Sequence, residues 1–200
     1  VLQGEVTAQR LPGAVAVIAR RGQLALFNSV GALDPATGAP MAPDAVFRIY
    51  SMTKPILSVA VLLLMEQGKL LLSDPVAKFL PEFAKQQVAS LKEGAVVTRA
   101  ARQPATIQDL LRHTAGLTYE FMGSTSVQRQ YAQARMGSRE RTLAEFTQEL
   151  AQLPLMFEPG TAWEYGRATD VLGRVVEVVS GQRLSDYLTQ HVLTPLGMHE

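Results

Sequence analysis

A mixed α/β (α+β) architecture is predicted by the order in which two kinds of apolar pattern occur. Two runs of strand character, "AVAVIAR" and "QLALFNSVG", stand near the start with only "RG" between them. Beyond Asp44 the apolar residues fall mainly at helical spacing. A third observation locates the chemistry: Ser51-Met52-Thr53-Lys54 stands at the mouth of the most apolar helical segment.

Taken in order, "VLQGEVTAQR" is a polar lead-in, and the two strand runs with their two-residue link read as a β-hairpin. The Pro/Gly-rich stretch from Asp34 to Asp44 is a loop. From Pro55 to Met65 the spacing of Ile56, Val59, Ala60, Leu63 and Leu64 is helical, while Leu57, Val61, Leu62 and Met65 fill the other faces. The helix is therefore expected to be central and surrounded by protein, and Gly68 ends it. "LSDPVAKFLPEF" reads as a short capped helix stopped by Pro81, and the polar excursion from Lys85 to Ala105 holds one small strand, "AVVTRA".

Thr106 with Asp109 forms a capping-box pattern for "IQDLLRH", which Gly116 terminates. The next segment, "GLTYEFMGSTSVQRQYAQARMGSRE", reads as a long irregular loop, and loops of that length are often functional. Two further helices are expected, from about Thr142 to Leu153 and from about Ala168 to Ser180, with Gly181 closing the second. No internal repeat or low-complexity tract is present.

Composition narrows the partners. At 200 residues, 47% hydrophobic and 18% charged, the chain can bury a real core. A formal net charge of +1, with no Lys/Arg run longer than a pair, gives no footprint for nucleic acid or an anionic membrane, so a small-molecule partner is expected. The absence of cysteine excludes disulfides, thiolate metal sites and a Cys nucleophile. The apolar stretch from Pro55 to Met65 is about half the ~20 residues a membrane-spanning helix needs, so no membrane insertion is expected. No signal peptide is seen, which leans toward a cytoplasmic location, although the chain does not begin with Met and trimming before Val1 stays open. Compartment and oligomeric state are not set by the sequence.

Ser51 and Lys54 lie three apart, so on a helical turn they share a face and can touch. A Ser hydroxyl is a weak nucleophile unless a base takes its proton, and a Lys can be that base only if burial lowers its pKa. The alternative is that Ser51 caps the helix and Lys54 reaches into solvent. Tyr165, in "FEPGTAWEYGRATDVLGRVVEVVSG", stands between a turn and a helix, where its phenol is either a general acid–base or the tip of a core aromatic. His113 reads as a structural hydrogen-bonding residue, and His191 and His199 have no ligand-like spacing with it. No HExxH, glycine-rich phosphate loop or G-x-S-x-G elbow occurs, and neither a metal nor a cofactor is called for. Tyr119, Phe121 and Met122 either line an acyl pocket or pack.

An ordered series of segments carries a family resemblance: "LPGAVAVIARRGQ", "FRIYSMTKP", "LLLMEQGKLLLSDPVAKFLPEF", "TIQDLLRHTAGL", "FEPGTAWEYG", "TDVLGRVVEVVSG" and "LTPLGM". The chain resembles the serine hydrolases related to class C β-lactamases, a group that includes penicillin-binding D-alanyl peptidases and family VIII carboxylesterases, and its pattern is most similar to the last. The resemblance implies a serine β-lactamase-like fold, an antiparallel sheet flanked by helices with a mostly helical lobe. It implies opening strands and catalytic helix in residues 1–69, the helical lobe in 70–153, and the Tyr segment with its following helices in 154–200. It further implies that Ser51 is the acylated nucleophile, that Lys54 receives or relays its proton, that Tyr165 serves the second proton position, and that the Ser51 N–H is an oxyanion donor.

Two departures from that pattern bear on function. Where the lactamases place an Asn two residues after the Tyr, this chain has Arg167, so lactam-amide recognition loses support and an esterase reading gains. The Lys- or His-containing strand that ends in Gly is not found before Glu200, so the chain is expected to be the N-terminal portion of a longer polypeptide. The function expected is hydrolysis of short- to medium-chain acyl esters through an acyl-enzyme on Ser51. A β-lactamase or D-amino-acid peptidase of the same fold is the alternative, and a catalytically silent binding or scaffold protein is the alternative of another class.

Overall fold

A computed structural model describes residues 1–92 and 95–198. His199, named above among the histidines without ligand spacing, and Glu200 lie outside the described residues. The chain divides into two compact units, Val1–Ile49 and a larger one that begins at Tyr50.

In the smaller unit, the lead-in forms a short helix α1 (Leu2–Thr7). The hairpin is present as β1 (Gly13–Arg20) and β2 (Gln23–Asp34), antiparallel from Gly13 opposite Gly31 to Arg20 opposite Gln23. Its two-residue turn needs positive φ at both positions, and Arg21 and Gly22 adopt +53° and +74°. The segment read as pure loop contributes β3 (Ala39–Pro40), which pairs with the end of β2.

The larger unit is built on α2 (Thr53–Glu66). Leu57, Ala60, Val61 and Leu64 are buried, an i, i+3, i+4, i+7 stripe in which each large side chain contributes about 1.5–3 kcal/mol of burial. On the other faces of α2, Val59 and Leu62 are 45% and 38% exposed within these residues. "LSDPVAKFLPEF" makes two 3-10 turns, Val76–Lys78 and Pro81–Lys85, rather than one helix, because Pro81 lacks the N–H to continue the first and instead begins the second. The expected strand is β5 (Ala95–Ala100), and it is paired with a strand the sequence pattern did not reveal, β4 (Gln87–Lys92).

Helix α3 (Ile107–Leu111) carries the expected capping box, Thr106 with Asp109. The long segment read as irregular contains α4 (Ser126–Gln133), capped by Thr125 and Gln128, and α5 (Leu143–Leu150) is capped in the same way by Thr142 and Glu145. Helix α6 (Ala168–Ser180) has the expected bounds and ends at Gly181 with φ +71°. It packs on α2, α3, α5 and the following α7 (Leu184–Leu188) and supplies Val171, Leu172, Val175 and Val176 to one continuous core with the α2 stripe. A π turn, Thr189–Leu193, and a 3-10 turn, Thr194–Leu196, follow. No helix among the described residues is long and apolar enough to cross a membrane.

Candidate active site

Ser51 sits in a 3-10 turn, Tyr50–Met52, that runs directly into α2. Unlike α3, α4 and α5, α2 has no side-chain cap, and its N-cap position is Met52. Ser51 therefore does not spend its hydroxyl on capping. Tyr50, immediately before it, is held at φ +45°, a left-handed conformation that costs a bulky L-residue energy and so has to be imposed by its surroundings.

The Ser51 Oγ accepts hydrogen bonds from two sides. Lys54 Nζ, one turn along the same helix, donates at 3.1 Å. The Tyr165 hydroxyl donates at 2.6 Å across 114 residues of chain. The structure thus brings together the three residues singled out from the sequence.

Tyr165 is fixed from both of its neighbours. The Glu164 N–H donates to the His113 carbonyl at 2.9 Å, and the Glu164 carboxylate accepts from the buried Thr118 hydroxyl at 2.7 Å. On the other side a Cβ at Gly166 would lie 2.4 Å from the Leu117 carbonyl oxygen, so only glycine fits. His113 packs its ring 4.9 Å from that of Tyr165, and burial, helped by the Lys54 charge, holds its pKa down, so it is a neutral support. His191 lies elsewhere, against the Tyr187 ring.

The electrostatics divide the labour between the two partners of Ser51. Burial acts to lower the Lys54 pKa, but the Tyr165 and Tyr119 hydroxyls beside it outweigh burial and leave it above its ordinary value. Burial acts to raise Tyr165, but the Lys54 ammonium and the Ser51 hydroxyl outweigh that and leave it below its ordinary value. The desolvation that would make Lys54 a neutral base is therefore overridden. The Lys54 charge favours the ionised form of the Tyr165 phenol.

A cavity of about 510 Å³ contains Ser51, Lys54 and Tyr165, and Tyr119, Phe121 and Arg167 also line it. Phe121 stacks on Tyr119 at 4.8 Å between ring centroids. Met122 is 47% exposed and is not among the lining residues. Arg167 is committed internally: its guanidinium lies 4.6 Å over the Tyr119 ring and donates to Glu120 at 2.7 Å. Sequence reasoning missed Glu120 and Asp170. Burial raises the Asp170 carboxyl despite the nearby Arg167 and Lys54 charges. An acidic residue in the first turn of α6 carries only the ordinary signal of a helix start. Among the described residues no cluster of three or more His, Cys, Asp or Glu could hold a metal ion.

A hairpin sheet, a core helix entered from a turn that holds a serine, and a lysine and a tyrosine converging on that hydroxyl define the class of serine β-lactamase-like proteins. The chain belongs to the Beta-lactamase family, whose model matches residues 1–200. It is 41% identical over 194 residues to Esterase EstB of Burkholderia gladioli, an alignment that covers 96% of this chain and 47% of that protein. It is 32% identical over 161 residues to Lovastatin esterase of Penicillium rubens, covering 80% of this chain and 40% of that one. Among solved structures, EstCE1, described as a hydrolase with promiscuous acyltransferase activity, superposes with a TM-score of 0.82 at 33% identity, covering 98% of this chain and 49% of EstCE1. The chain spans about half the length of the curated relatives it matches.

Proposed function

We propose that the protein is a serine carboxylesterase that hydrolyses short- to medium-chain acyl esters through an acyl-enzyme on Ser51. The observation that carries the reading is the pair of hydrogen bonds on Ser51 Oγ, 3.1 Å from Lys54 Nζ and 2.6 Å from the Tyr165 hydroxyl. With Tyr165 ionised beside the Lys54 cation, the phenolate takes the Ser51 proton as Oγ bonds to the acyl carbon. The carbonyl electron pair moves onto oxygen, where the uncapped start of α2 and the Ser51 N–H stabilise it. The C–O bond then breaks, and the alcohol leaves with the proton held by Tyr165. Water repeats the sequence from the other direction: it gives a proton to Tyr165, bonds to the acyl carbon and expels Ser51, which recovers its hydrogen while the acid departs.

The two esterase relatives support ester hydrolysis, and Arg167, tied to Glu120, offers no free neutral amide to a lactam side chain. A second reading, acyl transfer, is favoured by the EstCE1 neighbour; there an alcohol replaces water in the second half. The test uses the full-length protein, a serine-reactive phosphonate, a p-nitrophenyl ester and a cephalosporin. An adduct located by mass spectrometry on Ser51, lost in Ser51→Ala, with ester turnover well above cephalosporin turnover, supports the proposal. The substitution should leave the fold intact, since a small residue at a helix start costs only about 1 kcal/mol. An adduct elsewhere or a preference for the cephalosporin overturns it, and no adduct at all favours a silent scaffold.

A further inference from the structure

We propose that the acyl half of the ester enters a second, apolar cavity beside Lys54, and that Gly173 sets how long an acyl chain it accepts. The proposal rests on the serine-esterase reading above. This cavity, of about 260 Å³, shares Tyr50, Lys54, Tyr119, Leu143 and Asp170 with the larger one that holds Ser51, so the two adjoin across those side chains, beside Lys54.

The two cavities differ in chemistry. The larger one has apolar walls at Phe121, Met136 and Phe146 but carries four further charged residues, Glu120, Arg139, Arg141 and Arg167, in addition to the shared Lys54 and Asp170. The smaller one has no charged lining residue beyond those two; Thr53 and Thr169 add hydroxyls, and Leu57, Leu143 and Leu184 line it around Gly173. An ester bound at Ser51 has two halves to place. A hydrocarbon chain gains by leaving water for leucine methyls and gains nothing among guanidinium groups, whereas the departing alcohol and the incoming water suit the polar side.

Gly173 stands in the interior of α6, where glycine is a poor helix former, and it is buried there. A Cβ at this position would lie 3.0 Å from Leu184 Cδ2, 3.4 Å from Leu143 Cδ1 and 3.8 Å from Leu57 Cδ2. Those three leucines are the ones that line the small cavity. A Cβ at 173 would therefore crowd Leu184 and touch Leu143 and Leu57, and a larger side chain there would fill the space the acyl chain would occupy.

The test compares two substrate series on the full-length protein: p-nitrophenyl esters from acetate to hexanoate, and acetate esters of alcohols of increasing length. Gly173→Val should lower the hexanoate-to-acetate ratio of kcat/KM by about tenfold or more, the usual scale for a methylene or two in an apolar pocket. Leu184→Ala, which opens the same space, should raise it, and this opposite-signed variant remains informative if Gly173→Val folds poorly. A shift in the alcohol series instead of the acyl series, or no shift in either variant, overturns the proposal. If the wild type neither labels on Ser51 nor turns over acetate esters, the esterase reading fails and the inference falls with it, an outcome distinct from turnover with an unmoved chain-length profile.

Discussion

Arg167 donates a 2.7 Å hydrogen bond to Glu120 across 47 residues of chain, joining the start of α6 to the loop that carries Tyr119 and Phe121. Both side chains are largely shielded, so either charge loses most of its compensation when its partner is removed. Arg167→Asn should lower stability by about 1–3 kcal/mol, and adding Glu120→Gln should restore part of it. Urea unfolding of the two single variants and the double variant measures the coupling. Strictly additive losses would show that the pair is incidental.

The pH dependence of turnover should report Tyr165. Its base form grows as pH rises, so kcat/KM should climb through a pKa that lies below the ordinary phenol value of 10.0. Lys54, raised above its own ordinary value, stays protonated over that limb. Lys54→Ala removes the cation that favours the phenolate, so the limb in the residual activity should move to higher pH. A limb that does not move in background-corrected pH–rate profiles would sink the assignment of base and support.

If Lys54 and Tyr165 act as one relay, their losses should not multiply. Lys54→Ala, Tyr165→Phe and the double variant are expected to lose comparable factors in kcat. Single-turnover acylation of the three proteins decides the matter, and independent multiplying losses would mean separate roles.

Gly166→Ala tests the positioning of Tyr165. The added carbon would meet the Leu117 carbonyl oxygen at 2.4 Å and Thr118 Cα at 2.6 Å, and backbone atoms in that packing cannot swing aside. The strand of chain carrying Tyr165 must shift, and a displacement on the order of 1 Å costs roughly 100-fold in kcat. KM should change far less. An unchanged kcat would mean that the hydroxyl geometry is not limiting.

What the sequence disclosed was what a few neighbouring residues decide among themselves. The β1–β2 hairpin, the Thr106–Asp109 cap and the bounds of α6 rest on signals within about four residues of each other, and all are present. Helix α4 had such a signal too, Thr125 with Gln128, but only Val127 and Tyr131 give it an apolar face, and the surrounding Gly and Ser residues masked it. Strand β4 is defined by its partner rather than by its own pattern, since "QVASLK" has little strand character. At the site, Ser51 and Lys54 announced themselves by spacing and Tyr165 by family pattern. Glu120 and Asp170 are ordinary acidic residues until tertiary packing places them beside Arg167 and Lys54.

If the proposed mechanism holds, the hydrogen bond between Tyr165 and Ser51 also sets when Ser51 becomes reactive. Its partners are separated by 114 residues, so the contact carries a large loop-closure cost and belongs to the late, high-contact-order part of folding, after the locally specified helices. Refolding followed by circular dichroism should therefore run ahead of phosphonate labelling of Ser51. During synthesis, α2 leaves the ribosome with a serine that has its lysine but not yet its phenol. On the proposed mechanism, Ser51 is expected to lack its proton acceptor until the segment around Tyr165 has been made and has folded back onto it.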